Sequence, residues 1–138
     1  MANATTAEGA IVAMLIANAG VGAIVGNRIS TATGASKNAY PKMYYERIGT
    51  TKEYSNDGVL NTRQARIYLY ASADDLIVAR AAAAAAESVL DGFSGTASGI
   101  SFGCIRVTDF SDDQMPINEG QTKPPQRVRL ELTVDYYQ

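Results

Sequence analysis

Gln126-Arg127-Val128-Arg129-Leu130-Glu131-Leu132-Thr133-Val134-Asp135-Tyr136 alternates apolar and polar residues without a break. A period of two is the mark of a strand, whose successive side chains point to opposite faces. Val128, Leu130, Leu132, Val134 and Tyr136 would face a core, and Arg127, Arg129, Glu131, Thr133 and Asp135 would face water. A strand with one buried and one wet face belongs to an antiparallel sheet, because parallel strands are covered on both sides.

Working back along the chain, the same pattern returns in Thr62–Ala71. Ala65, Ile67 and Leu69 lie on one side there, with Arg66, Tyr68 and Tyr70 on the other. It returns again in Ile100 to Phe110, and more weakly in Lys42 to Ile48 after Tyr40-Pro41, a position where no ladder donor is yet needed. The polar stretch from Gly49 to Asn61, containing Asn56-Asp57-Gly58, reads as the tip of a long hairpin. Ser111 to Pro125 reads as a long acidic and then proline-bearing loop, and long loops in compact domains tend to be functional.

Two stretches have helical character. Thr5 to Glu8 has the spacing of a capping box, followed by Ile11, Val12, Leu15 and Ile16 and a stop at Ala19-Gly20. Ser72 to Asp75 starts a second helix, which runs to about Leu90 and ends at Asp91-Gly92. Val78, Ala82, Ala86 and Val89 form its apolar stripe, opposite Arg80, Ala84, Glu87 and Asp91. The alanine run Ala81 to Ala86 combines high helix propensity with side chains small enough for close packing. The expected fold is therefore α+β: an antiparallel four-stranded sheet made of two hairpins, with two main helices packed on one face. Residues 1–138 form a single domain that exposes loops 49–61 and 111–125, a length at which roughly 70% of the unfolded surface can be buried without metals or disulfides.

Composition excludes several kinds of chemistry. There is no histidine, which removes Ser-His-Asp and Cys-His catalysis and the usual zinc sites. The single Cys104 has no internal partner and is expected at a buried, inert strand position. Asp74-Asp75 reads as helix-start charge, and Asp112-Asp113 lacks the ligand spacing of a calcium site. Gly92, Gly95 and Gly99 follow a helix instead of opening one, so they read as a linker and not a phosphate loop. No cofactor and no metal is expected, and the chain is not expected to be an enzyme. A small phage or cell-wall enzyme would need a convergent acid–base pair. The apolar stretch from Ala10 to Gly26 is interrupted by Asn18 and three glycines, so no membrane association is expected.

The formal charge of -2, with both signs interspersed, speaks against DNA binding as the main role of the monomer. Eight tyrosines and the arginines among them suggest a surface. Tyr68, Tyr70, Arg66, Arg127 and Arg129 on the wet strand faces could form a protein interface, stack on bases, or be ordinary surface; Tyr and Arg are enriched at interfaces. Asp57, Asp112, Asp113 and Glu119 on the two loops are candidates for charged partner contacts.

The whole order of signals resembles the tail-completion and tail-terminator (minor tail) proteins of long-tailed bacteriophages. The residues that carry this are the opening helix, Arg28-Ile29 after a small apolar turn, and Tyr40-Pro41-Lys42-Met43-Tyr44-Tyr45-Glu46-Arg47-Ile48. Arg66-Ile67-Tyr68-Leu69-Tyr70-Ala71, leading to Leu90-Asp91-Gly92, and the closing run from Arg127 to Tyr136 complete it. These are diffuse patterns of fold rather than catalytic signatures. The first strand's Pro41-Lys42-Met43-Tyr44 departs from the usual proline–aromatic start. The resemblance implies a homo-hexameric ring at the head-proximal end of the tail tube that stops tube polymerisation and offers a head–tail joining surface. Its partners would be the tail tube protein and head-completion or connector proteins. DNA would pass through the ring without specific binding, and the protein would reside in the virion at the neck end of the tail, after assembly in the host cytoplasm. A head-side adaptor or closure ring of the neck is the alternative.

Overall fold

A computed structural model describes residues 6–31, 40–55, 58–114 and 126–137. Its elements are α1 (Ala7–Ala17), α2 (Ala19–Val25), β1 (Ile29–Thr31), β2 (Lys42–Ser55), β3 (Gly58–Ala73), α3 (Leu76–Leu90), β4 (Gly95–Ala97), β5 (Ile100–Gln114) and β6 (Gln126–Tyr137). They form one sheet in the order β1-β2-β3-β6-β5-β4. The sheet is mixed, because β1 runs parallel to β2 while every other neighbouring pair is antiparallel. The expectation of four antiparallel strands and two main helices is corrected to six strands and three helices among the described residues.

The four long strands stand where the alternation put them, and the two additions are short edge strands that no period of two can reveal. Ile29–Thr31 offers only three residues, and it pairs because Arg28 and Ile29 are delivered beside Met43, whose N–H donates to the Arg28 carbonyl at 2.9 Å. β4 comes from the supposed Gly/Ser linker. Ser98 and Gly99, both at positive φ, turn the chain so that Gly95–Ala97 lies along Ile100–Phe102. The hairpin tip also contracts, because β2 and β3 continue through most of Gly49 to Asn61. β5 likewise runs on to Gln114, into the segment read as a loop.

The first helix is really two. Thr6, not Thr5, caps α1 by accepting from the Gly9 N–H at 3.1 Å; Thr5 lies outside the described residues. The helix ends one residue before the expected stop. Asn18 leaves the helical conformation and its side chain accepts from the Val21 N–H, which starts α2 at a bend of 87°. No single described helix is long and apolar enough to cross a membrane.

The core lies between one sheet face and the three helices. Ala65, Ile67, Leu69, Val128, Leu130, Leu132, Val134 and Tyr136 meet Ile11, Leu15, Val21, Val25 and the buried side of α3. That side consists of Ala79, Ala82, Ala83, Ala86 and Leu90, one row over from the expected stripe; Val78 and Val89 sit at its margin. Asp75 caps α3 through the Ile77 N–H, so the Asp74-Asp75 pair stands at the helix start as expected.

Candidate interaction surface

Among the described residues the opposite sheet face carries no helix, and its large side chains cover one another. Register sets this up: Tyr44 stands opposite Tyr70, and Tyr70 opposite Arg129; Glu46 stands opposite Tyr68, and Tyr68 opposite Glu131. The Tyr44 and Tyr70 rings stack at 4.9 Å, and Tyr68 meets Tyr70 edge-on at 6.2 Å. The Arg127 guanidinium lies 4.6 Å over the Tyr70 ring and donates to the Tyr44 hydroxyl at 3.0 Å. Arg129 lies 4.8 Å over Tyr68. Cation–ring contacts of this kind contribute about 0.5–2 kcal/mol, more as water is excluded.

Carboxylates complete the layer. The Tyr70 hydroxyl donates to Glu46 at 2.9 Å, and burial first, then this bond, pushes the Tyr70 pKa up to about 12. Arg66 pairs with Glu131 at 2.9 Å, Arg106 with Asp135 at 3.4 Å and Arg129 with Asp109 at 3.6 Å. Gln64 donates to the other Asp135 oxygen at 3.0 Å. Lys42, at the end of the same face, is buried and lies 4.6 Å over the Tyr40 ring; burial lowers its pKa. The face is therefore nearly charge-balanced, and its arginines are largely committed to tyrosines and carboxylates of the same sheet. Such a surface is polar and presents little free positive charge to a polyanion.

Arg66, Tyr68, Tyr70, Arg127 and Arg129 thus come together as the alternation suggested. Asp112 does not join them: it lies on β5 toward the helix side and forms an exposed ion pair with Arg80 of α3, whose guanidinium holds the Asp112 carboxyl below the usual range. Asp113 pairs with Arg127 in the ladder, and its side chain lies outside the described residues, as do Asp57 and Glu119. Tyr44, Glu46, Asp109 and Arg106 belong to the layer although the sequence reading did not select them. Tyr44 and Glu46 were legible as the wet side of β2, but only the hairpin register places them against Tyr70 and Tyr68.

Cys104 is half-buried at a β-bulge, not at a fully buried position. Its ladder partner is Asp135, and the strand irregularity between Phe102 and Cys104 shifts the alternation there. Among the described residues no group of three acidic or thiol side chains could hold a metal ion.

Comparison with known proteins adds what residue chemistry cannot. The sequence matches the family described as tail completion protein gp17 over residues 9–123. The chain belongs to that family. This tail completion protein is accordingly a structural, non-catalytic component of a phage tail, and its Tyr/Arg surface is not a reaction centre. A chain in the virion of a native gene transfer agent particle shares its fold, with a TM-score of 0.65 at 17% identity over 93% of this chain and 92% of that one. No curated protein matches this chain.

Proposed function

We propose that the protein closes into a ring on the head-proximal end of the tail tube, ends tube growth there, and presents the surface to which the head is joined. The observation that carries this is the family match across residues 9–123, together with a fold that offers two opposed contact edges and no catalytic constellation among the described residues. The mechanism is binding and geometry alone. A head-to-tail contact closes into a ring when its rotation is right, and a closed ring offers the tube no further site for addition. The ring is a homo-hexamer, and its partners are the tail tube protein on one side and head-completion proteins on the other.

DNA passing through the ring has to slide without being held. Phosphate binding grows with the number of unneutralised basic groups, so a channel wall should be near neutral. The Tyr/Arg face suits that wall, since Arg66, Arg106 and Arg129 are matched by Glu131, Asp135 and Asp109. Docking then falls to the ends of the long strands and the segments joining them, where Asp57, Asp112, Asp113 and Glu119 supply charge. Particles lacking the protein test the proposal. Overlong or ragged tails are expected. Normal-length free tails beside filled heads would refute termination and favour a neck adaptor on the head side.

A further inference from the structure

The two outer long strands each have a half whose outer edge meets no strand among the described residues. β1 covers β2 only at Met43–Tyr45. On the far side β4 covers β5 at Ile100–Phe102. Ile105 next exchanges hydrogen bonds with Phe93 and Gly92, and Asp91 takes the Val107 N–H. Beyond these points no described residue pairs with either edge: β2 from Glu46 onward, and β5 from Thr108 to Gln114. An open edge presents a row of unpaired N–H and C=O groups, which is a template for another strand.

We infer that the open half of β5 pairs with the open half of β2 of a second copy of this chain, and that this edge contact is the one that closes the ring. The inference rests on the ring reading above and says which surfaces make it. Strand direction fits. β3 is antiparallel to β2, β6 to β3 and β5 to β6, so β5 is antiparallel to β2. A neighbour placed beside β5 with its sheet facing the same way would continue the antiparallel alternation.

Level fits as well. Glu46, Tyr68, Glu131 and Asp109 form one row across the four long strands. The open half of β2 runs away from that row in one direction, and the open half of β5 runs away in the other. Bringing them side by side displaces the neighbour along the strands by about four to six residues, roughly 13–20 Å, against a four-strand width of about 19 Å. The resulting strand tilt is roughly 35–45°, the range in which closed barrels form. Both outer strands also carry a bulge next to the same row, between Arg47 and Gly49 and between Val107 and Asp109. Bulges bend a sheet and strengthen its twist, as closure requires.

The helices must then lie outside, where there is room for them, and the Tyr/Arg face inside. Six copies would contribute roughly 24 long strands, more than the 16–18 that already enclose an aqueous channel in porins.

Proline tests the edges without removing a backbone bond within the chain, although each variant also gives up one exposed side-chain contact, Arg47 to the Thr50 hydroxyl or the Arg80–Asp112 ion pair. Counting along the ladders from Met43 and from Val107, past each bulge, the N–H groups of Thr50 and Asp112 turn to the open edges, where proline is tolerated. Thr50→Pro and Asp112→Pro should each melt cooperatively and form no ring on tail-tube ends. Mixed together they should give a 1:1 dimer and nothing larger, because each keeps the one edge that the other lacks. Rings from either variant alone, or a mixture that stays monomeric, would overturn the edge pairing. Wild-type chain that never rings on tube ends would defeat the ring reading itself; wild-type rings that survive both prolines defeat only the edge contact. Amide exchange of the wild type needs no variant. The amides in 46–51 and 108–113 that turn to the open edges, those of Thr50 and Asp112 among them, should slow by about tenfold or more on going from free chain to ring. Unchanged exchange there would also overturn the inference.

Discussion

Six consecutive alanines in α3 provide a test in which one residue type should give opposite results. Ala82 is 1% exposed and faces the sheet, whereas Ala84, two residues on, faces solvent. Ala82→Leu forces three extra carbons into a contact whose other members, Ala79, Ala83 and Ala86, are fully buried. Overpacking of this kind costs about 1–3 kcal/mol. For a chain of this length each kcal/mol lowers Tm by about 3–4 °C, so the drop should be about 3–12 °C. Ala84→Leu adds the same atoms in water, where leucine and alanine differ in helix propensity by only a few tenths of a kcal/mol. Its Tm should stay within about 2 °C of the wild type. Thermal melts followed by circular dichroism at one protein concentration decide the matter. Equal drops in the two variants, or none at Ala82, would mean that small residues are not what seats α3 on the sheet.

Two further expectations concern single side chains. Tyr70 ionises near pH 12 in the fold and near 10 when unfolded, so its stabilisation is complete below pH 10 and is lost as pH rises through about 12. Glu46→Gln removes the charge that accepts the Tyr70 hydroxyl and should move this late phase of tyrosinate absorbance to lower pH; an unmoved phase would show that the bond does not hold the proton. Asn18→Ala removes the cap of α2 and should cost about 1 kcal/mol, read as a lower urea midpoint at unchanged slope.

How far the sequence carried depended on whether each signal was local. The alternation in β6 and β3 was legible because every second residue of Val128–Tyr136 and Ala65–Ala71 enters one continuous core. The start of α3 was legible only in part: the early carboxylates read as helix-start charge, but Ser72, whose hydroxyl offered a cap, lies in β3, and Asp75 caps instead by accepting from the Ile77 N–H. α1 was harder. It is apolar nearly all round, with only Glu8 charged, and that residue pairs with Arg47 of β2. Its orientation is therefore not written in its own pattern: Ile11 and Leu15 are buried while Ile16 is 43% exposed. The candidate surface divides the same way. Arg66, Tyr68 and Tyr70 alternate on one strand and could be picked out, but nothing in the chain before folding says that Tyr44, 26 residues upstream, stacks on Tyr70.

By itself the sequence determined the four long strands, the alanine-rich helix, the absence of histidine chemistry and the resemblance that the family match bears out. The first three follow from composition or from a period that one element carries alone, whereas the resemblance rests on the order of motifs along the chain. Only the tertiary structure decided the parallel β1 edge, the β4 hairpin, the break at Asn18 and the pairing of arginines with tyrosines and carboxylates. The short strands have too few residues to show a period, and they form because their neighbours are already in place. The surface network depends on strand register, which is set by the burial of the opposite face: a slip of one residue would turn Tyr70 and Arg129 into the core.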